Sequence, residues 1–474
     1  MTPSFPELEK HLTIREKAIE CTAHTKWQTK MVYKKKPLFT VIAETPRTIR
    51  TYQGLWKSTG DWLRSKGYTV EFHDTRMPFD APNFKLMRGF RFSQRELLTE
   101  FLNQRKSGLL VAPTRFGKIY LILNTLRAFP NVTSVVALPG VDLVKQTYEF
   151  LKEQLPDREV KMIGAGSRVK FPSEDINVAS TDSLEKCDTG RTGLLLLDEP
   201  HTCVTDSRLP KIMAFDRARI LGFTATPGGR FDGRDPYIIG AIGPVLAERT
   251  YLEAVAEGAI CPLTVLFLEV KMDWTEQGSN RQRTYDRFLF KSPKIADITS
   301  RICHEILPDD WQTLIFIKHE EQAELFLNRI GEEGTIAMAK RMTAKERDAT
   351  FKLMQSNTIK RCLATNIYAT GVTFNNVCAL INCEAGGDNT SAIQKPGRLA
   401  ELRPDKKCGV IFDFMFDAAG LDTSNLDEYS TDEHYWKHLV RDSRARESAY
   451  RRKGYDVRIA KSFDELKTIF EEVR

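Results

Sequence analysis

The sequence predicts an α/β protein: two successive domains with helix-wrapped parallel sheets, preceded by a small α+β module and followed by a short helical tail. Three observations carry this reading. From Phe92 onward, short apolar, β-branched runs bounded by turn residues alternate with amphipathic helical patterns, as in parallel strands joined by crossover helices. The rhythm stops near residue 246 and restarts near residue 291. The chain of 474 residues, 41% hydrophobic and 28% charged, is long enough for about three domains of ordinary globular composition. Collagen-like, mostly disordered and disulfide-scaffold classes are excluded on the same grounds.

In chain order, residues 1–87 form the small module. Between Lys26 and Arg50 stand seven Lys or Arg residues, Lys34, Lys35 and Lys36 among them, against one acid, Glu44. The strand-like run Leu38–Ala43 lies within this stretch, and Trp27, Tyr33 and Tyr52 are interleaved with it. A helical pattern from Leu55 to Lys66 leads into a strand-like run, Tyr68–Phe72. A basic face with aromatics fits contact with nucleic acid; a merely solvated surface is the alternative. Residues 88–245 are the first parallel-sheet domain, with strands expected at Gly108–Ala112, Ser134–Leu138, Ile176–Ala179, Leu194–Leu197 and Ile220–Phe223. Residues 246–290 connect it to the second, 291–417, with strands expected at Thr313–Ile317, Arg361–Ala364, Val377–Ile381 and Gly409–Phe414. The tail, 418–474, opens with an acidic stretch around Asp422–Asp432. From Lys437 to Lys461 it carries nine basic residues, including Arg451 and Arg452, against three acids. A helix there could lie along phosphates or simply be solvated. The net charge of +7, from 70 basic and 63 acidic residues, is therefore concentrated at residues 26–50 and 437–461.

The nine cysteines are scattered and none forms a C-x-x-C pair, which fits a reduced intracellular compartment better than a metal or disulfide framework. No apolar run approaches the roughly 20 residues that cross a bilayer, and the first residues lack the apolar core of a secretory signal.

The strongest local feature is the run Gly108 to Lys118, a buried strand leading through a turn into a helix. Its form, Ala112-x-x-x-x-Gly117-Lys118, lets the backbone N–H groups of Thr114, Arg115 and Phe116 face a triphosphate at a helix N-terminus. Gly117 permits close approach, and Lys118 sets a point charge on the outer phosphates. Ile119 follows. Further on, Leu194-Leu-Leu-Leu-Asp198-Glu199-Pro200-His201 ends an apolar strand in two adjacent carboxylates, a costly arrangement unless a cation is held there. Asp198 would take Mg²⁺ through its water shell and Glu199 would polarise an attacking water. The run Gly222-Phe-Thr224-Ala225-Thr226-Pro227 is another strand end, carrying two hydroxyls.

Taken together and in this order, these residues resemble a superfamily 2 helicase from about Arg91 to Phe414. The resemblance implies two tandem RecA-like domains that close over ATP. It makes Arg91-Phe-Ser-Gln94 the adenine-reading element, with Gly371 also at the nucleotide, and Thr224 and Thr226 the coupling motif. It places Pro139, Gly140, Thr181 and Thr365 on a nucleic-acid backbone, and it makes Gln394 and Arg398 catalytic, the arginine reaching the γ-phosphate from the second domain. Ile242–Gly258 and the closing run Arg444–Tyr455 are similar to the connector and tail of phage UvsW-type and XPB-type DNA helicases. That narrower likeness implies ATP-driven translocation on branched or duplex DNA, by a monomer in the cytoplasm of a phage-infected cell: branch migration, D-loop or R-loop unwinding, and fork remodelling in recombination, replication or repair. RNA as substrate stays open by motif alone.

The pattern departs from the family at the ATP chemistry. Ile119 stands where a hydroxyl would ligate Mg²⁺, Glu401 stands where a second arginine is expected, with Arg403 beyond it, and Thr373 replaces an acid or amide. A slow but working ATPase is one reading. A degenerate chain that binds or anneals nucleic acid is another, and the motor subunit of a restriction system a third.

Overall fold

The computed structural model describes residues 5–21, 29–44, 47–74, 76, 81–167, 171–228, 233–272, 284–331, 334–337, 342–365, 376–384, 395–400, 406, 408–417 and 436–474. Gly371, Thr373, Gln394, Glu401, Arg403 and the acidic stretch Asp422–Asp432 lie outside the described residues, as do the side chains of Lys34 and Arg398. The chain divides into two compact units, Met1–Glu253 and Ala254–Arg474.

After a short helix, Phe5–His11, the first unit has two antiparallel strand pairs: β1 (Thr13–Cys21) with β2 (Thr29–Pro37), and β3 (Phe39–Glu44) with β4 (Arg47–Thr51). The helix Trp56–Ser65 follows. Tyr68–Phe72, expected as a strand, is irregular; Phe72 packs edge-on against Trp56 instead, with ring centroids 5.3 Å apart. Apolar alternation makes a strand only where another strand supplies a ladder, and among the described residues none pairs with this run. Leu8, Leu12, Leu38 and Leu55 join one cluster with Leu109, Val135, Leu197, Phe215 and Ile238. Gly54 is wedged so tightly into the unit that an added Cβ would lie 1.8 Å from the Ile239 carbonyl oxygen. Beside it, Gln53 Nε2 donates to the Ala241 carbonyl at 3.1 Å.

The main sheet of this unit comprises β5 (Gly108–Val111), β6 (Ser134–Leu138), β7 (Val160–Ile163), β8 (Ile176–Ser180), β9 (Leu194–Asp198), β10 (Arg219–Thr224) and β11 (Val245–Glu248). Their order is β11-β5-β10-β9-β6-β8-β7, all pairings parallel. Strands β5, β6 and β8 are buried along their whole length, as helices on both faces of a parallel sheet require. The register sets Val111 opposite Thr224 and Phe223 opposite Asp198. The C-terminal ends of β5, β10 and β9 therefore emerge side by side, where parallel sheets bind ligands.

The second unit contains β12 (Leu263–Val270), β13 (Gln312–Phe316), β14 (Gly334–Ala337), β15 (Arg361–Ala364), β16 (Val377–Asn382), β17 (Gly409–Phe416) and β18 (Asp456–Ala460). They form a second parallel sheet, ordered β14-β15-β13-β16-β17-β12-β18. The basic tail is woven into it. Helix Trp436–Lys453 contributes Leu439 and Val440 to the core, β18 lies beside β12, and the last helix, Phe463–Val473, adds Leu466 and Phe470. Among the described residues, no helix is long and apolar enough to cross a membrane.

A buried polar knot fastens the tail helix to the sheet. Asp413, in β17 and 1% exposed, accepts from Arg446 Nε (3.0 Å) and Nη2 (2.8 Å), Asn382 Nδ2 (2.9 Å) and the Tyr450 hydroxyl (3.2 Å). Such a pair stabilises only while both partners are present. Asp413→Ala, which strands the Arg446 guanidinium in the core, should cost about 3–5 kcal/mol in urea unfolding. Replacing both charges together (Asp413→Leu with Arg446→Met) should cost far less; equal losses would show that the pair is not what matters. At the wedge, Gly54→Ala meets backbone that cannot step aside and should cost about 1–3 kcal/mol, read as a lowered Tm of the first unit.

Candidate active site

The turn after β5 is shaped by its backbone. Arg115 (φ 73°) and Gly117 (φ 88°) both lie in the left-handed region, and Gly117 caps the helix Lys118–Ala128. The first N–H groups of a helix lack partners within it, which makes such a turn a place for an anion. A Cβ on residue 117 would sit 2.6 Å from Gln94 Nε2, so glycine is required twice over. Gln94 is 4% exposed; it donates to the Phe116 carbonyl (2.5 Å) and accepts from the Arg91 N–H (2.9 Å). It thereby ties the Arg91–Gln94 turn to the loop, while the Arg91 side chain stays exposed. Phe116 is buried, and Thr114, Arg115, Lys118 and Ile119 are half-buried along the loop and first helical turn. Ile119 offers no oxygen there.

Beside the loop, β9 ends in Asp198, and Glu199 turns the chain with φ 48°. The Glu199 N–H is fixed by the Phe223 carbonyl at 3.0 Å. Its carboxylate is held from three sides: Lys118 Nζ at 3.1 Å from Oε1, and the Thr224 hydroxyl at 3.1 Å and His201 Nδ1 at 3.5 Å from Oε2. Thr224 in turn accepts from the Thr226 N–H at 3.0 Å. Burial raises the Glu199 pKa, but the Lys118 ammonium, His201 and Thr224 together carry it below the ordinary value. Asp198 goes the other way, pushed up to about 7 by burial and then by the neighbouring Glu199 charge. Its Oδ1 is buried without a hydrogen-bond partner among the described residues. A desolvated carboxylate oxygen beside a second acid is the donor a hard divalent cation takes, with water completing the shell.

The remaining sequence-predicted residues spread over both units. Pro139 and Gly140 end β6 half-exposed, with open space around Gly140. Thr181, expected to touch nucleic acid, is fully buried at the start of the 3-10 turn Thr181–Lys186, whose exposed residues are Asp182, Glu185 and Lys186. Lys35 is exposed; Lys36 lies 4.0 Å from Asp206 and over the Tyr237 ring at 5.7 Å, leaning on the first unit. In the second unit, Thr365 follows β15, and Arg398 stands in the turn Pro396–Arg398. Arg451 and Arg452 are exposed in the last turn of their helix, Arg451 paired with Glu447 at 2.8 Å. Sequence reasoning passed over Lys395, which is buried on Glu384, with Lys318 Nζ 3.3 Å from the other carboxylate oxygen. The signal was present: an acid stands two residues beyond the end of β16, as one ends β9.

The raised Asp198 pKa has a stability consequence. Between about pH 4 and 7 the native state binds a proton that the unfolded chain has released, so this group's stabilisation is lost as pH rises through 7. Asp198→Asn should therefore raise the Tm of the ligand-free protein at pH 8 more than at pH 5; the reverse order would contradict the site as described.

Residues 89–229 match the family described as type III restriction enzyme, res subunit, and residues 298–402 match the helicase conserved C-terminal domain. A protein bearing a helicase name (22) from Sulfolobus islandicus filamentous virus is 22% identical over 379 residues, 73% of this chain and 66% of the relative. The chain thus spans just under two thirds of that relative's length. Among solved structures, S. cerevisiae Dbp5 bound to RNA and ADP BeF3 aligns at TM-score 0.51 and 15% identity, covering 80% of this chain and 93% of its own. The ATP-dependent Type ISP restriction-modification enzyme LlaBIII bound to DNA aligns at TM-score 0.53 and 15% identity, covering 81% of this chain and 33% of its own. These two show the shared fold of two parallel-sheet domains. With the two family matches falling on the two sheets, and the loop, carboxylate pair and threonines gathered at adjacent strand ends, the chain belongs to the superfamily 2 helicases.

Proposed function

We propose that this protein is an ATP-driven DNA motor that hydrolyses ATP in step with movement along nucleic acid. The observation that carries the reading is the convergence of Lys118, Asp198, Glu199 and Thr224 at the ends of three adjacent parallel strands. Asp198 Oδ1 would hold Mg²⁺, an ion that neutralises charge on phosphate oxygens. When a triphosphate occupies the loop, Lys118 exchanges Glu199 for the outer phosphates. Glu199, released from its cation and still held by Thr224, orients the attacking water and draws its proton. Gln394 and Arg398 are the second unit's proposed contribution to the same reaction.

DNA rather than RNA, and branched DNA in particular, rests on the likeness of Ile242–Gly258 and Arg444–Tyr455 to UvsW-type helicases. The exposed Lys35, Arg451 and Arg452 supply positive charge outside the motor motifs, where a branched substrate needs extra grip. Ile119 favours one competing reading, a chain that binds or anneals nucleic acid with little turnover. A metal held by Asp198 and water alone suits slow catalysis, and we place the protein there.

The test is ATP turnover with no nucleic acid, single strands, duplex, four-way junctions and RNA. Junctions should stimulate most, and Lys118→Ala or Glu199→Gln should cut stimulated turnover by at least about 100-fold. Wild-type turnover no faster than that of the two variants would sink the motor reading; stimulation by RNA equal to that by junctions would sink the DNA assignment.

A further inference from the structure

On the motor reading nucleotide chemistry falls on Glu199, the resemblance to superfamily 2 helicases implies nucleic-acid contact at the Thr181–Lys186 turn, and no motif joins the two. In the first unit a continuous polar chain does. The Glu199 carbonyl accepts from the Thr202 N–H (3.0 Å) and the Thr202 hydroxyl (2.9 Å). The Thr202 carbonyl accepts from Arg208 Nη1 at 2.9 Å. The other edge of the same guanidinium is bidentate on Asp182, Nε to Oδ1 at 2.7 Å and Nη2 to Oδ2 at 2.8 Å. Lys211 closes the far end, donating to the Asp182 carbonyl and pairing with Glu185 at 2.8 Å.

Three properties make this more than a surface ion pair. The Arg208 side chain is only 23% exposed, and a planar guanidinium bonded along both edges fixes distance and orientation together, which a lysine cannot do. The Arg208 bonds also hold the Asp182 carboxyl below the usual carboxylate range. And the near end of the chain is where a triphosphate would act. Glu199 sits in the left-handed region (φ 48°) with Lys118 on its carboxylate; a bound triphosphate competes for that ammonium and removes one of the anchors that keep the strained turn in place.

We propose that Arg208 is a positioning residue that carries the state of Glu199 to the Thr181–Lys186 turn, so that ATP and nucleic acid bind with mutual reinforcement. The inference rests on the motor reading above. Coupling of this kind is reciprocal: nucleotide must tighten nucleic-acid binding by the same factor by which nucleic acid tightens nucleotide binding, typically 5–150-fold. Arg208 lies outside the motifs that the motor reading assigns to either ligand. Its loss should abolish the factor and leave each separate affinity in place.

The experiment uses the full chain, a fluorescein-labelled four-way DNA junction and Mg²⁺ with a non-hydrolysable ATP analogue. Junction affinity is measured with and without the analogue, and analogue affinity with and without the junction. In wild type both ratios should agree and exceed about fivefold. In Arg208→Gln both should fall to about one, with the Kd of each ligand alone and the basal ATPase within about twofold of wild type. Arg208→Lys should recover only part of the factor, and adding Asp182→Asn to Arg208→Gln should change it no further. An Arg208→Gln variant that keeps the wild-type factor, or that loses basal and stimulated turnover in equal proportion, overturns the assignment while leaving the motor reading intact. A wild-type protein with neither coupling nor stimulated turnover overturns both.

Discussion

The site depends on keeping a carboxylate charged at the end of a buried strand. Burial alone would push the Glu199 pKa up; Lys118, delivered by the helix after β5, together with His201 and Thr224, delivered by β10, carries it below the ordinary value. Lys118 and Thr224 arrive because three parallel strands run in one register, with Val111 beside Thr224 and Phe223 beside Asp198. The phosphate loop, the acid pair and the threonine turn are thus consequences of a single strand alignment. Shifting β5 by one residue would carry Lys118 away from Glu199 and move every β5 side chain to the other face of the sheet.

The same economy recurs in the second unit with a different outcome. There, Glu384 just beyond β16 is enclosed by Lys395 and Lys318, and Asp413 within β17 by Arg446, Asn382 and Tyr450. Those acids are fully answered by protein. Asp198 is not: one of its oxygens is buried and unanswered among the described residues. A polar atom left in that condition costs stability, and its persistence marks a place where the protein meets something other than itself.

The central strands and the chemistry were legible in the sequence for a shared reason: continuous apolar runs ending in Gly-Lys, Asp-Glu or Thr-Ala-Thr carry a strong local pattern. The edge strands did not announce themselves. In β7 two of the four residues are only partly buried, and β18 buries one face beside Asp456 and Arg458, so each blends into its polar surroundings. β11 and β12 fall at or within the expected connector 246–290, since the helix between them, Tyr251–Ala256, is shorter than the crossover helices elsewhere. Tyr68–Phe72 looked like a strand and is none, since alternation proposes a strand but only a neighbour makes one. The bond between Arg208 and Asp182, 26 residues apart, is invisible to any local pattern, because it exists only once two turns have folded against each other.

The seating of the first residues has a consequence for how the chain is made. Leu8, Leu12, Leu38 and Leu55 have their packing partners as far along as Ile238, and the wedge at Gly54 closes on Ile239. During synthesis at about 5–20 residues per second, the first strand pairs would wait roughly 10–40 s for those partners to leave the ribosome. Throughout that interval they would present unpaired strand edges and leucines to the cell. The native seating of these leucines is thus a late event in synthesis, completed only once residues near Ile238 have emerged.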